Sequence, residues 1–462
     1  MLHEGEYPNI ILINCDDLGF GDLKCYGSET HKTPHLDRMA MEGLQLTNFY
    51  MASSVCSPSR GAMLTGCYPP RIGFGSFNDN LVLFPGDAIG LHPNEFTLSR
   101  FLKEFGYSTM HIGKWHCGDQ PDFLPTNHGF DDYYGLPYSN DMGMQKDHPK
   151  QFPPLPLLHG REIIQEQPDQ SSLTERYVEK AIEFIRSCER NPFFLYFGHM
   201  HVHLPHYAPA RFLKNNENPY AAAVECIDWA TGVILHELEK QGIDNNTLVI
   251  FTSDNGSRND FGNSNGMLRG TKNSTWDGGF KVPCLLKWPG KIRSGTVSSE
   301  LVTSLDLFPT IHAYLSSNEH PGFSNKIDGI NVSDVLFSNG KSNRKEFFYY
   351  HKNNLMAVRD IKWKLHTRRY IKEKKRYIDI TELYNLEEDP GESNNLYPMY
   401  PGIVEALTMQ IQAMKNILGD DIDGIEGSEC RPVGNVAEGV PLTKYDANYP
   451  YMYELYDLSD WG

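Results

Sequence analysis

The chain has 462 residues, long enough for a large domain plus a smaller one, and its 42 Lys+Arg against 59 Asp+Glu leave a net charge of -17. Such a charge disfavours a phosphate-backbone footprint and hence a nucleic-acid partner, and an anionic substrate would need a local cationic pocket. No apolar run approaches the roughly 20 residues of a membrane span.

Met1 to Pro8 has no basic stretch followed by an apolar one, so a soluble, cytoplasmic protein is expected, or a periplasmic or secreted one if a signal peptide has been trimmed. The nine cysteines are scattered without C-x-x-C or zinc-like spacing and look like free thiols of a reducing compartment.

Asn9 to Asn14 is an apolar run ending at Cys15-Asp16-Asp17, which suits a central strand buried on both faces with acids at its C-terminal end, where open α/β sheets place ligands. Thr33 as N-cap and Pro34 at the first helical position start a helix through about Gly43. Leu44 to Tyr50 reads as a strand leading to a loop that carries Cys56. Thr97 to Glu104 is helical and stops at Gly106, and Ser108 to Ile112 is a strand delivering Lys114 and His116. A helix from about Thr174 to Arg190, a strand Phe193 to Phe197, a long helix Pro219 to Gln241 and a strand Thr247 to Thr252 continue the alternation. That alternation predicts an α/β fold, a large mixed sheet sandwiched by helices. Gly73 to His92 and Asp119 to Leu158, rich in turn residues, read as long loops near the site.

From about Phe347 the pattern changes to short strands: Phe347 to His351, Leu355 to Arg359 and Lys362 to Thr367, then a charged turn Arg368 to Arg376. A turn at Asp389-Pro390-Gly391 and a helix around Gly402 to Ile417 follow, and Gly419 to Gly462 is expected to pack as an extended arm. The expected division is a catalytic unit over 1–345 and a smaller antiparallel sheet plus helix with its arm over 346–462.

Asp16, Asp17, Asp254 and Asn255 end two predicted strands, and three carboxylates with one amide carbonyl suit a hard divalent cation, calcium first and magnesium second. An Asp-Asp pair after a strand is by itself commonly a turn or cap, and the second pair at an equivalent place is what argues for a metal. His199-Met200-His201-Val202-His203 offers an alternative metal cluster, since three alternate histidines point one way on an extended segment. Arg60, Lys114, His116, His203 and Lys272 are cations or bases at predicted loop positions.

Taken together, CDDLGFGD (Cys15 to Asp22), CSPSRGAMLTG (Cys56 to Gly66), GKWHCG (Gly113 to Gly118), LPYSND (Leu136 to Asp141), HVHLPH (His201 to His206), SDNG (Ser253 to Gly256), KNSTWDGG (Lys272 to Gly279) and ELYNLEEDPGESNNL (Glu382 to Leu396) run in one order across almost the whole chain. The sequence resembles the type I sulfatases of the alkaline phosphatase superfamily, most closely the branch of arylsulfatase A and galactosamine-6-sulfatase. The resemblance implies an alkaline phosphatase-like fold and a sulfuric ester hydrolase acting on a sulfated sugar, phenol or steroid. It also implies that a maturation enzyme, recognising Pro58 and Arg60 in part, oxidises Cys56 to formylglycine. The hydrate of that aldehyde supplies the nucleophile and, unlike an alcohol, can expel sulfate and return to the aldehyde.

By the same resemblance Asp16, Asp17, Asp254 and Asn255 match the calcium ligands, with residue 56 and the substrate sulfate completing the shell. Arg60 and Lys114 match residues that hold hydrate and sulfate, His116 the base, and His203 and Lys272 those at the bridging ester oxygen. Ser139 matches a pocket serine; Asn140 stands where arylsulfatase A has a histidine, and Cys67 and Cys117 depart from the usual arginine and leucine. Ser139, Asn140 and the Gly73 to His92 loop, with His92 itself, are expected to line the outer pocket, closed by strands near Tyr350 to Arg359. Two other readings of the same residues are a phosphatase or phosphodiesterase of that superfamily, which usually uses Ser or Thr with two zinc ions, and a non-catalytic binding protein on the fold.

Overall fold

The computed structural model describes residues 7–188, 191–216, 218–316, 323 and 325–460. Its centre is the strand Asn9–Cys15, every residue of which is buried. Ile10 and Leu12 face one apolar core while Ile11 and Ile13 face the other, so the run is apolar without alternation because both faces are covered. Thr247–Ser253 on one side and Phe193–Gly198 on the other pair with it in parallel register, Cys15 opposite Ser253 and Asn14 opposite Gly198. Ser108–Gly113 and Asp132–Gly135 extend the parallel block. Antiparallel neighbours complete a mixed sheet of ten strands, with Cys284–Lys287, Leu44–Leu46 and Thr296–Ser298 at one edge and Pro156–His159 and Glu162–Glu166 at the other.

Helices cover both faces. Pro34–Glu42, Leu173–Ser187 and Pro219–Gln241 pack into one core through Leu36, Tyr177 and Val224; Cys56–Thr65, Leu98–Glu104 and Leu307–Leu315 pack into the other through Met63, Phe101 and Phe308. Among the described residues no helix is long and apolar enough to cross a membrane. In-register pairing brings Asp16, Asp254 and the residues after Gly113 and Gly198 out together at the C-terminal ends of the central parallel strands.

A second sheet of four antiparallel strands, Phe347–His351, Asn354–Arg359, Trp363–Ile371 and Arg376–Asn385, is backed by the helix Pro401–Leu418. Leu407 and Ile411 of that helix share a core with Leu355 and Leu365, and also with Tyr50, Ala62 and Phe280 of the first part of the chain. The segment after Leu418 runs back over the large sheet: Gly434–Asn435 pairs with Ile89–Gly90, and Arg431 grips Glu95 at 2.7 and 2.8 Å.

Several elements differ from expectation. Leu44 to Tyr50 is two strands in different sheets, with Phe49–Tyr50 paired to Val302–Thr303. Cys56 lies in the first turn of a helix rather than in a loop. Thr33 stands at the N-cap position, but its hydroxyl bonds Asp37 Oδ1 at 3.2 Å and caps nothing. The helix expected to reach Arg190 has its last helical residue at Ser187; Arg190 is outside the described residues. The expected loop Asp119 to Leu158 contains the strand Asp132–Gly135 and the start of Pro156–His159. The charged turn Arg368 to Arg376 is mostly strand, turning only at Lys372–Lys374.

Candidate active site

Two adjacent strand ends and one helix start build the floor. Asp17 takes a left-handed conformation (φ 62°), and its N–H donates to Asp254 Oδ1 at 3.3 Å. Val55 is extended, then the helix begins, which drops Cys56 onto the carboxylates with Sγ donating to Asp16 Oδ1 at 3.3 Å. One ligand atom each from Asp16, Asp17, Asp254 and Cys56 lies within 4.8 Å of the others, and all four residues are buried.

Each carboxylate has its own cation. Lys114 Nζ is 2.5 Å from Asp16 Oδ2, Lys272 Nζ is 2.9 Å from Asp17 Oδ2, and Arg60 Nε donates to Asp254 Oδ2 at 2.8 Å. Lys114 also donates to Ser139 Oγ at 2.7 Å. Burial opposes charge on Asp16 and Asp17, but Lys114 and Arg60 hold the first, and Lys272 the second, below the usual carboxylate range. For Asp254, burial and then the neighbouring Asp16 charge outweigh Arg60 and push it up to about 7.

The donor set fits a hard cation. Asn255 Nδ2 donates to Asp17 Oδ1 at 2.7 Å and to Gly256 O at 2.9 Å, which leaves its carbonyl oxygen Oδ1 buried with no hydrogen-bond partner among the carboxylates. A buried carbonyl oxygen left unsatisfied is costly, and this one belongs to a side chain hydrogen-bonded to a carboxylate of the cluster, the kind of donor a hard cation takes. Among the described residues, His199, His201 and His203 form no three-ligand group, so the histidine alternative has no geometry behind it.

The encoded thiol is a poor nucleophile here. Burial first, and then the charge of Asp16, raise Cys56 well above the ordinary thiol value, so the thiolate does not form at neutral pH.

Hydrogen bonds fix both imidazole tautomers. His116 Nε2 sits 3.0 Å from Leu83 O, and because a carbonyl only accepts, Nε2 carries the proton; the buried Nδ1 has no hydrogen-bond partner and keeps its lone pair. His203 Nδ1 donates to Leu204 O at 2.7 Å, leaving Nε2 3.5 Å from Ser139 Oγ and 3.9 Å from Asp17 Oδ2. Burial, with Lys114 beside His116 and Lys272 beside His203, pushes both below the usual imidazole value and keeps them neutral.

Above this floor opens a cavity of about 490 Å³, reached by Cys56, His116, Ser139, His203 and Lys272. Phe84 and Phe152 stack at 6.1 Å on one wall, with Leu81, Val82 and Met142 nearby. Three expectations for this pocket are corrected. Asn140 is buried behind it, donating to Gln170 Oε1 at 3.0 Å and Pro205 O at 3.3 Å, so it braces a loop. His92 does not line the cavity: it packs beside Gly434 of the C-terminal arm, and its Nδ1 accepts from Asn94 N at 3.0 Å. The strands near Tyr350 to Arg359 do not line it either; the second sheet contributes Lys372, from its hairpin turn. Asp141, Lys150, Phe152 and Arg258 are lining residues that sequence reasoning missed, and only Asp141 had a signal, its place beside Ser139 in a recognised motif.

A family model described as Sulfatase matches residues 8–317, and one described as N-sulphoglucosamine sulphohydrolase, C-terminal, matches residues 271–417. Arylsulfatase A of Homo sapiens is 35% identical over 453 residues, spanning 89% of this chain and 87% of the relative. N-acetylgalactosamine-6-sulfatase of Rattus norvegicus is 38% identical over 378 residues, 78% of this chain and 71% of the relative. Among solved structures, the PsFucS1 sulfatase from Pseudoalteromonas sp. superposes with a TM-score of 0.79 at 28% identity, covering 89% of this chain and 90% of that one. Ps i-CgsB in complex with k-i-k-neocarrahexaose superposes with a TM-score of 0.77 at 28% identity, covering 91% and 95%.

Proposed function

The chain belongs to the sulfatase family and hydrolyses sulfate esters, and from that premise we propose that Cys56, oxidised to formylglycine by a maturation enzyme reading Cys56-x-Pro58-x-Arg60, carries the reaction. The observation that supports this most is the buried Cys56 thiol, 3.3 Å from Asp16 at the floor of the cavity and held protonated. When present, the converted residue supplies a hydrate oxygen as nucleophile, and a divalent ion at Asp16, Asp17, Asp254 and Asn255 supplies positive charge against the sulfate oxygens. An all-oxygen protein set of three carboxylates and one amide suits calcium, with magnesium second.

The chain's own groups divide the remaining work. Lys114, with Ser139 at 2.7 Å, and Lys272 neutralise the incoming sulfate, since a sulfur shielded by anionic oxygens repels a nucleophile until that charge is met. Arg60 orients the Asp254 carboxylate. His116 Nδ1, the lone pair left free of hydrogen bonds, takes the proton at residue 56. Lys272, kept charged beside Asp17, meets the departing ester oxygen, with His203 Nε2 next to it.

A sulfated saccharide is the proposed substrate class. The relative named N-acetylgalactosamine-6-sulfatase, the solved complex with neocarrahexaose, and an open cavity with a stacked aromatic wall all support it. Sulfate release from a small aryl sulfate and a panel of sulfated sugars, by protein co-produced with a maturation enzyme, tests the reading. Turnover lost in Cys56→Ala is expected; hydrolysis of phosphate esters in place of sulfate esters would overturn it in favour of the phosphatase alternative.

A further inference from the structure

The floor already answers one sulfate, yet further positive charge stands at the mouth of the same cavity. Lys150, Arg258 and Lys372 come from three segments far apart in the sequence, and all three line it. Among the described residues Asp141 is the one acid that lines it with them, and Asp87 lies near Lys150 as well. In a chain with a net charge of -17, gathering cations at one opening works against mutual repulsion and focuses a positive field there.

Among the described residues neither lysine forms an ion pair with a floor carboxylate, whose cations are Lys114, Lys272 and Arg60. Lys150 is held 3.4 Å above the Phe84 ring, and Phe84 stacks on Phe152 with 15° between the planes, so the ammonium is fixed against an aromatic wall. Arg258 is steadied by Asp260 at 3.1 Å. Lys372 is exposed and makes no ion pair among the described residues.

We infer that Lys150, Arg258 and Lys372 form an outer anion subsite that receives a second sulfate, or a carboxylate, of a sulfated saccharide whose scissile sulfate lies at the floor. The inference rests on the sulfatase reading above and narrows it: the preferred substrates carry at least two negative groups. Phe84 and Phe152 bound the space between the two anion sites.

The test is calorimetric binding to the full chain carrying Cys56→Ala, which cannot turn the ligand over. The probes are a monosulfated hexosamine, the same hexosamine with a second sulfate, and a monosulfated disaccharide containing a uronate; the last two separate sulfate from carboxylate as the second anion. Either dianion should bind about tenfold tighter than the monoanion, a gap that shrinks with added salt and closes in the Lys150→Ala/Lys372→Ala double variant. In the mature enzyme the same double variant should leave kcat on a small aryl sulfate within about twofold. Equal binding of mono- and dianions, or a gap that survives the double variant, overturns the inference. Absence of aryl sulfate hydrolysis by the mature enzyme would instead count against the catalytic reading, because binding is measured without it.

Discussion

Where the two sheets meet, Asp277 and Glu392 share Lys364 at 2.8 Å each, while at the cavity floor Asp16, Asp17 and Asp254 take Lys114, Lys272 and Arg60 one apiece. Both are buried groups of acids and lysines, and one motif, Lys272 to Gly279, feeds both. They differ in closure. Asp277 also accepts from Tyr50 Oη at 2.5 Å and Tyr349 Oη at 2.9 Å, and Glu392 accepts from Asp277 N at 2.8 Å and lies 3.1 Å from His366 Nε2. Each of those carboxylate oxygens has a donor. The floor leaves Asn255 Oδ1 and His116 Nδ1 without hydrogen-bond partners. Buried charge alone therefore does not mark a site; unfinished valence beneath a cavity does.

Breaking each cluster should separate catalysis from stability. Asp254→Ala is expected to lower sulfate release by roughly 10³-fold or more, with the bound divalent ion lost on elemental analysis and the far-ultraviolet circular dichroism unchanged. Normal turnover in that variant would erase the distinction. Lys364→Ala leaves Asp277 and Glu392 facing each other without their shared cation, and should cost about 3–5 kcal/mol in denaturant unfolding. Its surviving folded fraction should keep its aryl sulfatase rate within about twofold, since these residues touch no part of the floor.

A pH series sharpens the same contrast. Burial and the Asp16 charge push Asp254 up to about 7, so without a cation it is protonated below that pH. A ligand must shed its proton to bind metal, so calcium affinity of chelator-treated protein should rise about tenfold from about pH 6 to about pH 8 and level off above. Affinity that is flat or falls with pH would contradict the assignment of Asp254 as a ligand. The smallest effect is expected where the C-terminal arm clips on: Arg431→Ala removes the paired contact with Glu95 and should cost about 1 kcal/mol, read as faster proteolysis of the arm at unchanged turnover.

These contrasts explain what the sequence could and could not reveal. Central strands such as Asn9–Cys15 are legible because burial on both faces makes the run continuously apolar, and acids at the ends of two parallel strands become neighbours by register alone. Arg368 to Arg376 looks like a turn because of its charge. In the fold Arg368 is a strand residue buried against Asp420 at 2.6 Å and Asp423, partners that no local pattern connects to it. The strand Glu162–Glu166 is a largely exposed edge, so no apolar face betrays it. Position in the chain puts His92 and Asn140 near the pocket but says nothing of side-chain direction: the returning arm meets one and Gln170 the other. The mouth of the cavity, built from residues 150, 258 and 372, has no spacing to detect.

The most direct test is the mass of the peptide containing Cys56, measured alongside sulfate release from a small aryl sulfate on protein produced with and without a maturation enzyme. The predicted result is conversion of the thiol to an aldehyde, with activity proportional to the converted fraction. Full turnover by protein whose Cys56 is wholly unmodified would contradict the assignment of residue 56 as the converted nucleophile.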